Sequence, residues 1–285
     1  MLSWLSDFFF TSFGALVRAF ESILAAGVFF VLLAMLMNGR EVFARFRRVL
    51  PETLLNLKII VFNVLFVVPL ILFGSTLMHA FVEAAGLRLV QPGAWSAWPA
   101  VLVMAAAVTV GDFVGYWRHR LEHLPLLWPA HAVHHSDTEM TYLSLERFHP
   151  LNYVTTFLID NAALLLLGLP PYALVANNLV RHYYGYFIHA DLPWTYGPLG
   201  KVFVSPAMHR WHHAADRRAF DTNYATVFSL WDRSFGTWRV PGPCDVPLGV
   251  TDDMEPTLSG QLSYVFTRRA HPWLFRRRKA REPAE

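Results

Sequence analysis

Eight of the chain's 13 histidines fall in three short clusters: His119 and His123; His131, His134 and His135; and His209, His212 and His213. Spacings of three and four place side chains on one helix face, ~5–6 Å apart at Cβ, so each cluster can aim several imidazoles at one point. Neutral imidazole ligates iron, zinc, copper and nickel, and so many in one chain imply more than one ion. The clusters are internal, which sets them apart from a terminal affinity tag. The isolated His79 and His271 read as packed or surface residues. The single cysteine, Cys244, excludes an intrachain disulfide framework and a multi-thiolate zinc or iron–sulfur centre.

Asp112 precedes His119 by about two helical turns and shares its face. A carboxylate near the inner end of an apolar helix is costly unless partnered. It could accept the outer N–H of a ligating imidazole or pair with Arg118. The metal itself stays open on donor chemistry alone. Eight histidines suit two tetrahedral zinc ions or two iron ions that keep positions free for dioxygen. The surroundings favour iron, because the clusters adjoin apolar segments and no hydrolytic nucleophile stands out.

The elements that must carry these clusters belong to a membrane protein. Hydrophobic residues make up 54% of the chain and charged residues 16%, against ~25% charged in an average soluble domain. Runs of about 20 apolar residues span a bilayer. Such runs extend from about Ser22 to Met37, from Ile59 to Phe81 with Pro69 as a kink, and from Trp98 to Trp117. A fourth, Leu151 to Leu169, breaks at Pro170 and Pro171, and a mixed helix from Tyr172 to Ile188 returns as the second arm of a hairpin. The expected fold is all-α, with about four transmembrane helices counting the hairpin and a histidine-rich helical cap holding a dimetal centre.

Arg40, Arg45, Arg47, Arg48 and Lys58 lie between the first two runs, and only Arg88 between the second and third. That asymmetry places the N-terminus outside, and the histidine clusters and C-terminus in the cytoplasm. No cleavable signal peptide is evident, and the pattern fits a bacterial inner membrane. Residues 1–98 are expected to form membrane helices, 99–240 the domain that carries the histidine clusters, and 241–285 a basic tail. In that tail Trp273, Leu274 and Phe275 precede Arg276, Arg277, Arg278, Lys279 and Arg281. Anionic lipid is its expected partner, at about 1 kcal/mol per basic residue near the surface, rather than nucleic acid.

Three stretches resemble the fatty acid hydroxylase/sterol desaturase superfamily. Asp112-x3-Tyr116-Trp117-x-His119-Arg120-x2-His123 is similar to its first histidine box. Trp128 and the run His131 to Ser136, followed by Arg147, His149 and Pro150, resemble the second. HRWHH at 209–213, then Asp221, Asn223, Tyr224 and WDRSFGT at 231–237, resemble the third. The resemblance covers roughly Val110 to Val240, and Ala225 stands where many members have glycine. It implies an integral-membrane enzyme with two iron ions (zinc being able to substitute on purification), using dioxygen and external electrons.

By matching position, its ligands are His119, His123, His131, His134, His135, His209, His212 and His213, with His189 as a further one before the third box. His182, seven residues before His189, is an extra candidate, and His149 reads as supporting or structural. No cytochrome b5-like domain is fused, so a separate donor such as cytochrome b5 or ferredoxin is expected. The implied activity is hydroxylation of an acyl or alkyl chain or a sterol-like lipid. Desaturation and ether-lipid cleavage are the alternatives within the class, and a histidine-rich zinc transporter or metal-binding membrane protein the alternative outside it. Aromatic residues Trp128, Tyr142, Tyr183, Tyr184, Tyr186, Phe187 and Trp211 are candidates to wall a lipid tunnel.

Overall fold

The computed structural model describes residues 2–272. Among them every regular element is helical, and the only β pairings are two isolated bridges, Phe203 with Phe228 and Ala214 with Leu248. In chain order the helices are α1 (Leu2–Asn38), α2 (Val42–Phe62), α3 (Val68–Ala84), α4 (Ala100–Glu122), α5 (Trp128–His135), α6 (Pro150–Thr156), α7 (Ala162–Leu166), α8 (Pro171–His189), α9 (Pro206–His212), α10 (Leu230–Ser234) and α11 (Leu258–Ser263).

Two π-helical turns join what would otherwise be separate helices. Asn63–Val67 links α2 to α3, and Phe157–Asn161 links α6 to α7. The first explains how a helix passes Pro69. Proline has no N–H for the carbonyl four residues back and its ring crowds that carbonyl, so a wider turn just before it relieves both problems. Sequence reading expects a kink at Pro69, and the backbone accommodates it with this wider turn. Gly168, at φ 59°, then Pro170 and Pro171 separate α7 from α8, a break where the sequence places the turn of the expected hairpin.

Three segments are long and apolar enough to cross a membrane: Ala19–Met37, Gly39–Ala84 and Ala100–Glu122. Only 11% of the most apolar window of the first is buried within the protein. Leu36, Phe43, Leu70 and Phe73 all face outward. Leucine and phenylalanine on the outside with polar groups within is the inverse of a water-soluble helical fold, and it suits a hydrocarbon solvent. Neither arm of the expected hairpin, 151–169 or 172–188, is among these three spans.

α4 is the central support. It packs mainly on α8, and Gly111 and Gly115 are what let the two helices close. A Cβ at Gly111 would collide with the Asn177 amide, and one at Gly115 with the Arg181 guanidinium. A second scaffold ties α2 to the loop after α5. Arg147, 1% exposed, pairs with Glu52 and lies 3.2 Å from Asn56 and 3.8 Å from Asp137. Asp137 also accepts from Asn56 (2.9 Å) and Ser144 (2.7 Å). A buried arginine is tolerable only with such multiple compensation.

Residues 241–272, grouped by sequence with the basic tail, fold back onto the histidine-bearing helices. Leu248 packs with Trp211 and Ala214, and Tyr264 and Ala270 with Ala132 of α5. The basic run from Arg276 and the aromatics before it lie outside the described residues.

Candidate metal centre

Four helix ends converge on one point. The last turn of α4 brings His119 and, just past its end, His123; α5 brings His131, His134 and His135; α8 ends on His189; and α9 brings His209 and His212, with His213 as its cap. Two groups result, each with ligand atoms within 4.8 Å of one another. His119, His123, His131, His135 and His212 form one; His134, His189, His209 and His213 form the other. The groups adjoin, since His135 stacks on His213 at 4.3 Å between ring centroids. The nine histidines singled out in the sequence as box residues, or as preceding the third box, are therefore the nine brought together.

Their tautomers can be read from what the outer nitrogens touch. His119 Nδ1 donates to the Tyr224 carbonyl at 2.7 Å and His212 Nδ1 to the Thr222 carbonyl at 2.6 Å. A carbonyl oxygen only accepts, so in each neutral ring the proton is on Nδ1 and Nε2 is bare. Those two bare Nε2 atoms face each other at 2.9 Å. In the second group one ring is fixed in the same way. His189 Nδ1 donates to Gly185 O at 2.7 Å, and its bare Nε2 lies 3.0 Å from His209 Nε2 and 3.3 Å from His134 Nε2.

A proton shared between the rings would require a buried imidazolium. Burial first, and the neighbouring imidazoles after it, hold His212 well below the ordinary 6.5, and the same two causes act in the same order on His209. Facing lone pairs at this distance repel unless a cation lies between them. The buried Nε2 atoms of His123, His131 and His135 also lack any hydrogen-bond partner, which is costly unless a metal supplies one. The donor set therefore fits bound metal.

The loop after α9 is built to present those carbonyls. Asp232 accepts the Tyr224 N–H (2.7 Å), the Ala225 N–H (2.9 Å) and the Thr237 hydroxyl (2.7 Å). Its burial pushes the carboxyl up to about 6 despite these donors. Asn223, at φ 62°, fixes the turn by donating to Met208 O and Arg239 O and accepting the Arg239 N–H. The WDRSFGT run thus has a local purpose, which is to hold the backbone that orients His119 and His212. Two carboxylates to which the sequence assigned no role support other rings. Glu122 Oε2 lies 3.4 Å from His131 Nδ1, and Asp221 Oδ1 lies 3.4 Å from His123 Nδ1. The signal for Glu122 was its place inside the HRLEH cluster.

Other expectations are corrected. Asp112 is fully buried, but its oxygens accept from the backbone N–H groups of Val227 (2.9 Å) and Phe228 (2.8 Å) and from the Trp231 indole (3.1 Å). It anchors the third-box loop to α4 rather than bonding a histidine. His182 stands apart from both groups, 41% exposed and 3.5 Å from Glu146. His149 caps α6, its Nδ1 accepting from Leu151 N, and its Nε2 lies 3.1 Å from Leu262 O; its role is structural. Of the aromatics expected to wall a tunnel, only Trp128 lines either cavity that reaches the histidines.

Those two cavities approach from different sides. One, of about 420 Å³, meets His123, His135 and His212 between Trp128, Phe220, Asp221 and Asp252. The other, of about 530 Å³, meets His119, His131, His134, His189 and His209. Both groups are thus within reach of a bound organic molecule.

Residues 104–237 match the fatty acid hydroxylase family model. An ornithine lipid hydroxylase of Rhizobium tropici is 30% identical over 174 residues, which is 60% of this chain and 53% of that protein. The alkylglycerol monooxygenase of Homo sapiens is 32% identical over 129 residues, 45% of this chain and 28% of that one. A Delta(7)-sterol 5(6)-desaturase of Gibberella zeae is 31% identical over 131 residues, 46% of this chain and 36% of that one. The chain spans about half or less of the length of these relatives. No solved structure matches it significantly.

Proposed function

We propose that this chain, which carries a fatty acid hydroxylase domain and belongs to the fatty acid hydroxylase/sterol desaturase superfamily, is a membrane-bound lipid hydroxylase with two iron ions. The observation that carries the reading is the pair of bare Nε2 atoms, of His119 and His212, facing each other at 2.9 Å. His119, His123, His131, His135 and His212 would hold one ion, and His134, His189, His209 and His213 the second. Four or five nitrogens leave a six-coordinate ion room for an exchangeable ligand, which suits iron in oxygen chemistry better than a closed structural zinc site.

The ions would supply dioxygen activation: a substrate C–H bond, dioxygen, two electrons and two protons become an alcohol and one water. The chain's own residues do the rest. Carbonyls of Tyr224, Thr222 and Gly185 fix ring tautomers, and Glu122 and Asp221 orient His131 and His123. Buried walls keep bulk water from the reacting carbon. Removal of two hydrogens to give an alkene and two waters is the second reading, favoured by the similarity to a sterol desaturase.

The basic segment between α1 and α3 supports an N-terminus outside and a cytoplasmic metal cap, in a bacterial inner membrane, with residues 99–240 as the catalytic part and the hairpin as a fourth membrane element. Electrons would come from a separate small redox protein. A zinc transporter would place its ligands within spans at the bilayer midplane, whereas these lie at helix ends. Comparative lipidomics of aerobic host cells with the wild-type gene and with His212→Ala tests the activity. A gene-dependent gain of one oxygen on a lipid class is expected. A loss of two hydrogens would move the assignment to desaturation, and no change in cells holding folded, metal-loaded protein and a supplied donor would contradict it.

A further inference from the structure

A line of touching aromatic rings runs from the five-histidine group to the surface. Tyr224 lies against three rings of that group, with centroids 5.6 Å from His119, 4.9 Å from His123 and 5.7 Å from His212. Tyr116 follows Tyr224 at 6.0 Å, and Trp117 follows Tyr116 at 5.4 Å. Both tyrosines are buried, whereas Trp117 is 37% exposed near the C-terminal end of α4. Packed rings alone would be ordinary core. The hydrogen bonds of Tyr116 set this line apart.

Each of those bonds has one possible direction. Arg120 donates to the Tyr116 oxygen at 3.2 Å and has no lone pair to offer in return. The Thr237 hydroxyl uses its one hydrogen on Asp232 Oδ1 at 2.7 Å. The phenol is therefore the donor in the 3.0 Å bond between Tyr116 and Thr237. A relay results, from phenol through hydroxyl to carboxylate. Burial pushes the Asp232 carboxyl up to about 6, so it takes a proton near neutral pH at modest cost. Tyrosine sheds its phenolic proton when it gives up an electron, because its radical cation is a very strong acid. A buried tyrosine is readily oxidised only where a base is connected to its oxygen, and Tyr116 has one.

Lipid hydroxylation takes two electrons from the donor protein and two from the substrate C–H bond. When no C–H bond is within reach, reduction of dioxygen to two waters lacks two electrons and two protons. We infer that Tyr116 and Trp117 supply those electrons as an escape route for oxidising equivalents, with Tyr224 bridging it to the ligand rings. The inference rests on the oxygenase reading above. Tyr116 gives an electron toward the metals, and its proton passes through Thr237 to Asp232. An electron from Trp117 and the returning proton restore Tyr116, and a soluble thiol refills Trp117 at the surface. Two such passages balance: dioxygen, two donor electrons, two protons and two thiols become two waters and one disulfide. Arg120 stands over the Trp117 ring at 5.4 Å, and a cation there disfavours positive charge on the indole. The hole therefore rests on Tyr116.

Two arms test it. In the first, iron-loaded protein in a fluorinated-chain surfactant, whose chain offers no C–H bond, is reduced and mixed with dioxygen. Freeze-quenched samples are read by electron paramagnetic resonance, with oxygen uptake followed in parallel. A tyrosyl radical is expected, identified by the collapse of its hyperfine pattern when tyrosine carries ring deuterium. It should be absent in Tyr116→Phe, lowered about tenfold in Thr237→Val, and unchanged in Tyr172→Phe, at the exposed start of α8. Bound metal reports an intact fold in each variant. Oxygen uptake with no tyrosyl radical, or a radical that persists in Tyr116→Phe, would overturn the route. The second arm needs no iron. A ruthenium photo-oxidant is attached at Ser234→Cys, in a Cys244→Ser background, beside the Phe235 ring that packs on Trp117 at 4.9 Å. Flash illumination of the zinc-loaded protein should produce tyrosyl absorbance, and Tyr116→Phe should abolish it. Equal yields in both would overturn the route whatever the iron arm shows. No oxygen uptake in the first arm would contradict the oxygenase reading, and the flash result would then decide the route alone.

Discussion

The two histidine groups are built differently. In the five-histidine group, four rings are steered from outside: His119 and His212 by carbonyls, His123 by Asp221 and His131 by Glu122. In the four-histidine group only His189 is steered so, by Gly185 O. The outer Nδ1 atoms of His134, His209 and His213 are buried without partners. Those rings are placed by packing, with His134 stacked on Phe148 at 4.7 Å and His213 on His135. Outer partners fix ring orientation and raise ligand basicity. The first group is therefore set in place by the protein alone, whereas the second would depend on a bound ion for cohesion.

The largest effect is expected from removing a ring at the centre of the prepared group. His212→Ala should abolish oxidation and lower bound metal, measured by product analysis and elemental analysis of the purified protein. His271→Ala should leave both near wild type, because His271 Nε2 lies 2.7 Å from Val265 O and far along the chain from either group. Wild-type metal content in His212→Ala would remove that ring from the ligand set.

A smaller effect separates the groups. Glu122→Gln should reduce metal affinity of the first group by about 10–100-fold, read by chelator competition. Asp221→Asn should sit at the low end of that range, since Asp221 is 73% exposed and water can replace it. The second ion should be nearly unaffected in both. Equal weakening of both ions would break the distinction between the groups.

The mildest perturbation is acid. In the metal-free protein His131, His134, His135, His209, His212 and His213 are held well below the ordinary 6.5, by burial first and by one another after it. The unfolded chain then takes up protons at a pH where the folded protein does not. Stability present above 6.5 is lost as pH falls through that value toward the lower folded ones. Thermal unfolding of the metal-free protein should show a falling midpoint below about pH 6.5, and a flat profile from about pH 7.5 to 5 would contradict this burial.

Much of the site was legible in the sequence, for a physical reason. Helical spacing of three and four puts ligands together locally, so His131, His134 and His135 announce themselves, and likewise His209, His212 and His213. Spacing could not reach what is distant in sequence. The partners of His119 and His212 are backbone carbonyls, which have no residue signature, and Tyr224 is 105 residues from His119. Same-face reasoning also misled twice. Asp112 does share a face with His119, but the third-box loop supplies N–H donors to it from 115 and 116 residues away. His182 lies two turns before His189, but it sits beside Glu146 at 3.5 Å and outside both groups. The helical, membrane-like character followed from composition, whereas the π turns at 63–67 and 157–161 depend on packing that periodicity does not encode.

The central claim is that these nine imidazoles exist to hold two ions. It is tested most directly by metal analysis with X-ray absorption spectroscopy on protein purified from iron-replete cells in detergent or nanodiscs. Two ions per chain with a first shell dominated by nitrogen at imidazole distances are predicted. A protein that is folded and carries no metal, or a single ion, would contradict it.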